Sequence, residues 1–365
     1  MKTTRSAPSS SRRLLGAAAA AAALAACPAL AWDASGHRLI TLIALDNLRG
    51  DAPAFLRDMH HRSAIAENST EPDRWRSVRM GPLMNANNPD HYLDVEDLEA
   101  YGLTLQTLPL LRYEFVSQMV SAREKAGAEF KGRPVTSSAR DIAKTDQWPG
   151  FAPYAVMENY AKLVSTFKLL RTLEKLNDPA RAHQVAAAQA SAVTIMGVMS
   201  HYVGDLAQPL HTTRHHHGWV GDNPNGYTTR YGIHSYIDGG VLEVHGLSYE
   251  SMRGARVSER QVEGRDPWQA VLGHIQRSHD QVIPLYEMDK SGDLARDPGK
   301  EMITARLMDG ASTLAALYNA AWESSEPSED DVKNFLKYDG PPQPPTPPAT
   351  LHGSTPAAAP VPGGS

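Results

Sequence analysis

Apolar residues recur at helical spacing along most of the chain. In "HRLITLIALDNL" (37–48) the positions Leu39, Ile40, Ile43, Leu45 and Leu48 carry the pattern. "PYAVMENYAKLVSTFKLLRTLEKL" (153–176) is long and amphipathic. The stretch at 178–208 follows, where Asp178 can cap and Pro179 can take the first turn. Two more helical stretches are predicted, 266–288, which again opens with Asp-Pro, and 300–325. Strand-like alternation is scarce. The pattern predicts an all-α fold, a single-domain helical bundle with long irregular loops. The least regular segment is 212–240, rich in His, Gly, Asn and Tyr.

Both ends stand apart. Lys2, Arg5, Arg12 and Arg13 precede an Ala-rich apolar run from Leu14 to Ala26, and "ALA" at 29–31 has the small residues of a signal-peptidase site. That run is shorter than the roughly 20 residues a bilayer span needs. A cleaved signal peptide over 1–31 is expected, with export to the periplasm or beyond the cell. "SRRLLG" carries a twin-arginine pair. "LAAC" ending at Cys27 offers a rival cut with lipid anchoring. The tail is Pro-, Ala- and Gly-rich, and a disordered segment is expected over 327–365. The folded domain is thus expected over 32–326.

Cys27 is the only cysteine, so after either cut no disulfide and no thiolate ligand remain. A metal would have to bind through nitrogen and oxygen, which suits zinc. Loss of residues 1–31 lowers Lys+Arg from 36 to 32 against 41 Asp+Glu, moving the net charge from −5 to −9. A bulk electrostatic grip on nucleic acid is then not expected. Bound dications could still supply positive charge locally.

"SHYVGDLAQPLH" (200–211) holds the most suggestive spacing. His201 and Asp205 share a helix face at i, i+4. Pro209 ends the helix, because its ring opposes the carbonyl four residues back, and His211 follows the break. A second pair, His234 and Asp238, lies in "GIHSYIDGG". With 15 His and 23 Asp in the chain, chance alone gives roughly one His-x3-Asp. Taken singly, His201–Asp205 reads first as a helix-surface ion pair. Other positions enlarge the set. "WDASGH" places His37 five residues after Trp32, "EPDRWR" offers Asp73, and "NPDHYLD" offers His91 and Asp94. The cut after Ala31 would free the Trp32 amine, which can chelate a metal with its own carbonyl. A lipidated Cys27 start would not.

The ordered set Trp32, His37, Asp73, His91, His201, Asp205, His211, His234, Asp238 resembles the zinc-dependent family that joins single-strand-specific nucleases of the S-one/P-one type with bacterial zinc phospholipase C. The likeness spans about residues 32 to 325 and is most specific in "HYVGDLAQPLH". The resemblance implies three zinc ions. Asp73, His91, His201 and Asp205 would hold one. The Trp32 amine and carbonyl, His37 and the bridging Asp205 would hold a second, and His211, His234 and Asp238 a third. It implies phosphodiester hydrolysis to 5′-phosphate products by a hydroxide shared between two zincs about 3.5–4 Å apart.

Asp73 and Asp205 would carry the catalytic centre. Arg76 would contact the phosphate or, alternatively, be a solvated helix cation. The short Trp-to-His spacing and Arg76 look like the nuclease branch. There Tyr92 would stack a base and Asp94 would accept hydrogen bonds from its edge, although Tyr92 is also an ordinary core candidate. The expected substrate is single-stranded nucleic acid or a 3′-nucleotide, with a monomer and no stable protein partner. Phospholipid is the alternative substrate, and non-catalytic zinc binding a further one.

Unlike the fungal nucleases, this chain has no cysteine pairs, and it carries "HTTRHHHGWVGDNPNGYTTRYG" before His234. His215, His216 and His217 are expected on a solvated loop beside the site, with Trp219 and Tyr227 able to shape a groove. His60, His61, His183, His245, His274, His279 and His352 are expected to be structural or solvated.

Overall fold

The computed structural model describes residues 32–135, 141–257 and 266–341. The expected leader with Cys27, and the chain beyond 341 with His352, lie outside the described residues. The helices are α1 (Ala34–Asp46), α2 (Met59–Asn68), α3 (Glu71–Arg76), α4 (Gly81–Asn87), α5 (Arg112–Ala126), α6 (Ala152–Leu176) and α7 (Ala182–Ala207). They continue with α8 (Ile233–Ser235), α9 (Val241–His245), α10 (Tyr249–Met252), α11 (Pro267–His279), α12 (Val282–Ser291), α13 (Asp297–Glu323) and α14 (Glu329–Asp339). A single antiparallel bridge, Leu93 to Gly150, is the extended pairing among the described residues. The fold is all-α. No helix among the described residues is long and apolar enough to cross a membrane.

Helix α7 is the axis of the bundle. It packs against α1, α2, α6 and α13, and every residue from Met196 to Ala207 is buried. A helix apolar over most of its surface is driven to the centre of a core. The polar groups it carries inward, Ser200, His201 and Asp205, therefore need partners. Helix α1 starts on Asp33, whose carboxylate accepts from the Ser35 and Gly36 N–H groups at 3.0 Å each. Leu39, Ile40, Ile43 and Ala44 then bury against the core. Where α1 meets α7, residue 204 must be glycine. A Cβ there would lie 2.8 Å from His37 Nδ1, so the missing side chain lets the two helices bring His37 beside His201.

Several boundaries differ from the sequence expectation. The stretch 266–288 is two helices, α11 and α12, interrupted at Asp280 and Gln281. Pro284 explains the break, since its ring excludes the carbonyl of residue 280 from a continuous helix. The expectation of a disordered segment from 327 fails over its described start, because Glu329–Asp339 is helical behind a Ser328–Asp331 capping box. Lys168 of α6 reaches Asp331 at 3.2 Å. His60 and His61 lie in the first turn of α2, and their N–H groups cap on Asp58. Within 212–240, α8 runs through a π-turn (Tyr236–Gly240) into α9.

Candidate metal centre

Five side chains from four segments meet at the buried end of α7. The His201 Nδ1–H donates to the Ser69 carbonyl at 2.8 Å. A carbonyl only accepts, so this bond fixes the tautomer and leaves Nε2 with its lone pair. That Nε2 lies 3.3 Å from Asp205 Oδ2 and 2.9 Å from His91 Nδ1. His91 ends the 3-10 turn Asn88–His91 and its Nδ1 lies 3.0 Å from Asp205 Oδ2. Its other nitrogen lies 3.2 Å from the Asn87 amide. Asp73, on α3, sets Oδ1 at 3.9 Å from both His91 Nδ1 and His201 Nε2. His37 arrives from α1, stacks on His201 with ring centroids 4.0 Å apart, and points Nε2 at Asp205 Oδ1 across 3.3 Å. Asp205 thus faces His37 with one oxygen, and His91 and His201 with the other.

A second cluster begins one turn beyond α7. Gln208 caps the Pro209–Thr212 turn by accepting from the Leu210 N–H, and donates Nε2–H to Asp238 Oδ1 at 2.7 Å. The His211 Nδ1–H donates to the His91 carbonyl at 2.6 Å, so its Nε2 is also bare. That Nε2 lies 2.9 Å from His234 Nε2. Asp238 Oδ2 completes the cluster, 3.6 Å from His234 Nε2. Asp238 sits in the π-turn, a rare helical widening often found at functional sites. Its carbonyl accepts from the Asp33 N–H at 3.0 Å, which ties this cluster to the head of α1.

The donor set fits a divalent cation. Three groups, His91–His201–Asp205, His37–Asp73–His201 and His211–His234–Asp238, each hold ligand atoms within 4.8 Å of one another. Ligands on a tetrahedral zinc at about 2.0–2.1 Å lie roughly 3.3 Å apart. Asp73 Oδ1, Asp205 Oδ1, Asp238 Oδ2 and both His37 ring nitrogens are buried without a hydrogen-bond partner among the described residues. Such groups destabilise a fold unless something compensates them. Burial also holds His37, His91, His201, His211 and His234 below the usual imidazole range, in the neutral form that binds metals. It pushes the Asp205 carboxyl up to about 7 and the Asp238 carboxyl well above the usual carboxylate range. A cation would reverse both carboxyl shifts.

The eight expected side-chain ligands therefore converge. Trp32, fully buried at the head of α1, packs where a side chain on Gly36 would collide with it. In the full chain its nitrogen is an amide, and the clusters form without it. Arg76 Nη1 lies 3.6 Å from Asp73 Oδ1, and the guanidinium stays partly exposed. Its charge, after burial, helps hold the His91, His211 and His234 rings neutral.

Tyr92 is half-buried, with its carbonyl fixed by the Ala152 N–H at 3.2 Å. The ring lies 5.9 Å from the Arg133 guanidinium and 6.5 Å from the His216 ring. Asp94 departs from expectation. It is fully buried, and its carboxylate is paired with Arg133, so it is not an open acceptor for a base edge. Nothing local in "KGRPV" signals Arg133, which arrives from a distant loop. Asn87 and Ser69, which touch His91 and His201, are equally silent in the sequence.

An all-α chain with two adjoining His/Asp clusters is the class that fold and site define. No protein-family model matches the chain, and no curated protein matches it.

Proposed function

We propose that the chain is a zinc-dependent phosphodiesterase, a nuclease acting on single-stranded DNA or RNA and on 3′-nucleotides. The observation that carries this reading is the sharing of Asp205 between His37 on one side and His91 and His201 on the other, with a second cluster joined through the His91 carbonyl. Multinuclear centres of closely spaced cations suit phosphoryl transfer, because the charge of a pentavalent transition state is spread over several oxygens.

Asp73, His91, His201 and Asp205 would hold one zinc. His37 and Asp205 would hold a second, with the Trp32 main chain completing it after processing. His211, His234 and Asp238 would hold a third. Bound there, the ions would supply Lewis acidity and lower the pKa of water. The chain's own groups do the rest. Arg76, half-committed to Asp73 and partly exposed, donates to a non-bridging phosphate oxygen. Ser69 and the His91 carbonyl hold the His201 and His211 rings in register. The Tyr92 ring offers a face on which a base or sugar can stack. The all-α architecture supports the same reading.

The test is a metal determination with parallel assays on denatured DNA, RNA, a 3′-nucleotide and phosphatidylcholine. About three zincs per chain with hydrolysis of the nucleic acids supports the reading. Hydrolysis of the lipid alone, or of nothing, overturns it.

A further inference from the structure

The three consecutive histidines do not share one environment. His215 is structural. Its ring stacks on Trp219 at 3.8 Å, its Nδ1 accepts from the Val220 N–H at 3.1 Å, and its carbonyl accepts from the Tyr286 hydroxyl. His216 turns the other way. Its Nδ1–H donates to the Thr213 carbonyl at 3.2 Å and its ring lies 6.0 Å from His234. His217 stacks on Tyr231 at 4.1 Å, and its ring centroid is 5.1 Å from that of His234. The expected solvated loop is therefore a wall folded back over the second cluster.

Two features single out His217. Its Nδ1 is buried with no hydrogen-bond partner among the described residues. It also belongs to none of the groups whose ligand atoms converge closely enough for a cation. A ring placed against a ligand of the cluster, with an unused polar atom and no part in the donor set, is suited to touch what lies over the cluster. Its position is fixed from behind. Gly218 has φ of 100°, and a side chain there would overlap the Thr229 backbone. The Trp219 N–H then donates to the Thr228 carbonyl at 2.8 Å. Tyr231, 65% exposed, covers one face of the ring.

We propose that His217 is a substrate-positioning residue whose imidazole N–H donates to a non-bridging oxygen of a phosphate seated over His211, His234 and Asp238. A neutral imidazole carries one N–H, and the tautomer that places it on the nitrogen facing the phosphate supplies the donor. Arg76, on α3, is near enough for its charge to act on the His217 ring. This inference rests on the phosphodiester reading.

The experiment compares wild-type protein, His217→Ala and His217→Asn, all metal-loaded. Three quantities are read: metal content, affinity for inorganic phosphate by calorimetry, and KM and kcat on denatured DNA. Expected are unchanged metal content, phosphate affinity about tenfold weaker in His217→Ala, and a rise in KM larger than any fall in kcat. His217→Asn, which keeps an N–H donor, should recover part of the affinity. Unchanged phosphate affinity in His217→Ala overturns the proposal. So does a loss of metal in both variants, which would make His217 a ligand or a structural prop. A wild-type protein that binds no phosphate also overturns it. A wild-type protein that binds phosphate but cleaves no phosphodiester fails the functional reading alone, and the phosphate comparison still decides the role of His217.

Discussion

His211 donates its Nδ1 hydrogen to the main-chain carbonyl of His91, at 2.6 Å, so the backbone of a residue in one cluster orients a side chain of the other. The two clusters are mechanically one object. Asp205 occupies the most shared position, facing three histidines. Asp205→Asn is expected to lose more than one equivalent of metal per chain, whereas Asp238→Asn loses one. Elemental analysis after gel filtration decides this, and equal losses would contradict the shared role.

Proton linkage gives a second expectation. Burial places the Asp205 carboxyl near 7 and the Asp238 carboxyl well above its usual range, while the imidazoles stay neutral. A metal must displace the carboxyl protons, so binding should release protons near neutrality and weaken as pH falls. The raised Asp205 value has its own consequence for the metal-free fold. Its folded pKa exceeds the ordinary 3.8, so its stabilising contribution is full below that value and is lost as pH rises to about 7. Calorimetry of zinc binding in buffers of different ionisation enthalpy measures the release. Buffer-independent heats would contradict it.

Gly204→Ala tests the helix contact. The new Cβ would sit 2.8 Å from His37 Nδ1, between two packed helices with little room to yield. The expected cost is about 1–3 kcal/mol of stability, accompanied by weaker metal binding because His37 is displaced. Denaturant titration with and without zinc separates the two effects. A variant that matches wild type in both would show that α1 shifts freely.

His274 is the control. It is a buried histidine paired with Asp309 at 2.9 Å, and its Nε2 donates to the Val203 carbonyl at 3.0 Å. That pair ties α11 and α13 to α7, and neither residue belongs to the three ligand groups. His274→Ala should cost about 2 kcal/mol, because the buried Asp309 carboxylate loses one partner and keeps Arg277 and Arg306. Metal content at low temperature should not change. Loss of zinc from the folded variant would extend the centre to Asp309.

The sequence made α7 and its ligands legible because several signals coincide there. An i, i+4 pair, a helix-breaking proline and a histidine beyond it occupy twelve residues, and the long apolar periodicity of 153–208 locates them on a helix. Asp73 and His91 were recoverable only by their order along the chain, since α3 and the Asn88–His91 turn are too short to show a period. Helices α2 and α5 went unread for a related reason, as their apolar residues do not gather on one face. The π-turn under Asp238 was not visible, because the spacing of His234 and Asp238 is the same with or without it. Arg133 against Asp94 and His217 against His234 are meetings of loops, which no local pattern encodes. The apolar run around Pro284 hides the split at Asp280 in the sequence pattern.

Three of the meetings in this centre are long ones. His91 and Asp205 are 114 positions apart, His201 and His91 110, and His211 and His91 120. Closing loops of that length is entropically costly and comes late in folding. An ion bound here would therefore act as a clasp on the whole chain, fastening its beginning to its middle, and its removal should lower the cooperativity of unfolding rather than loosen one corner of the molecule.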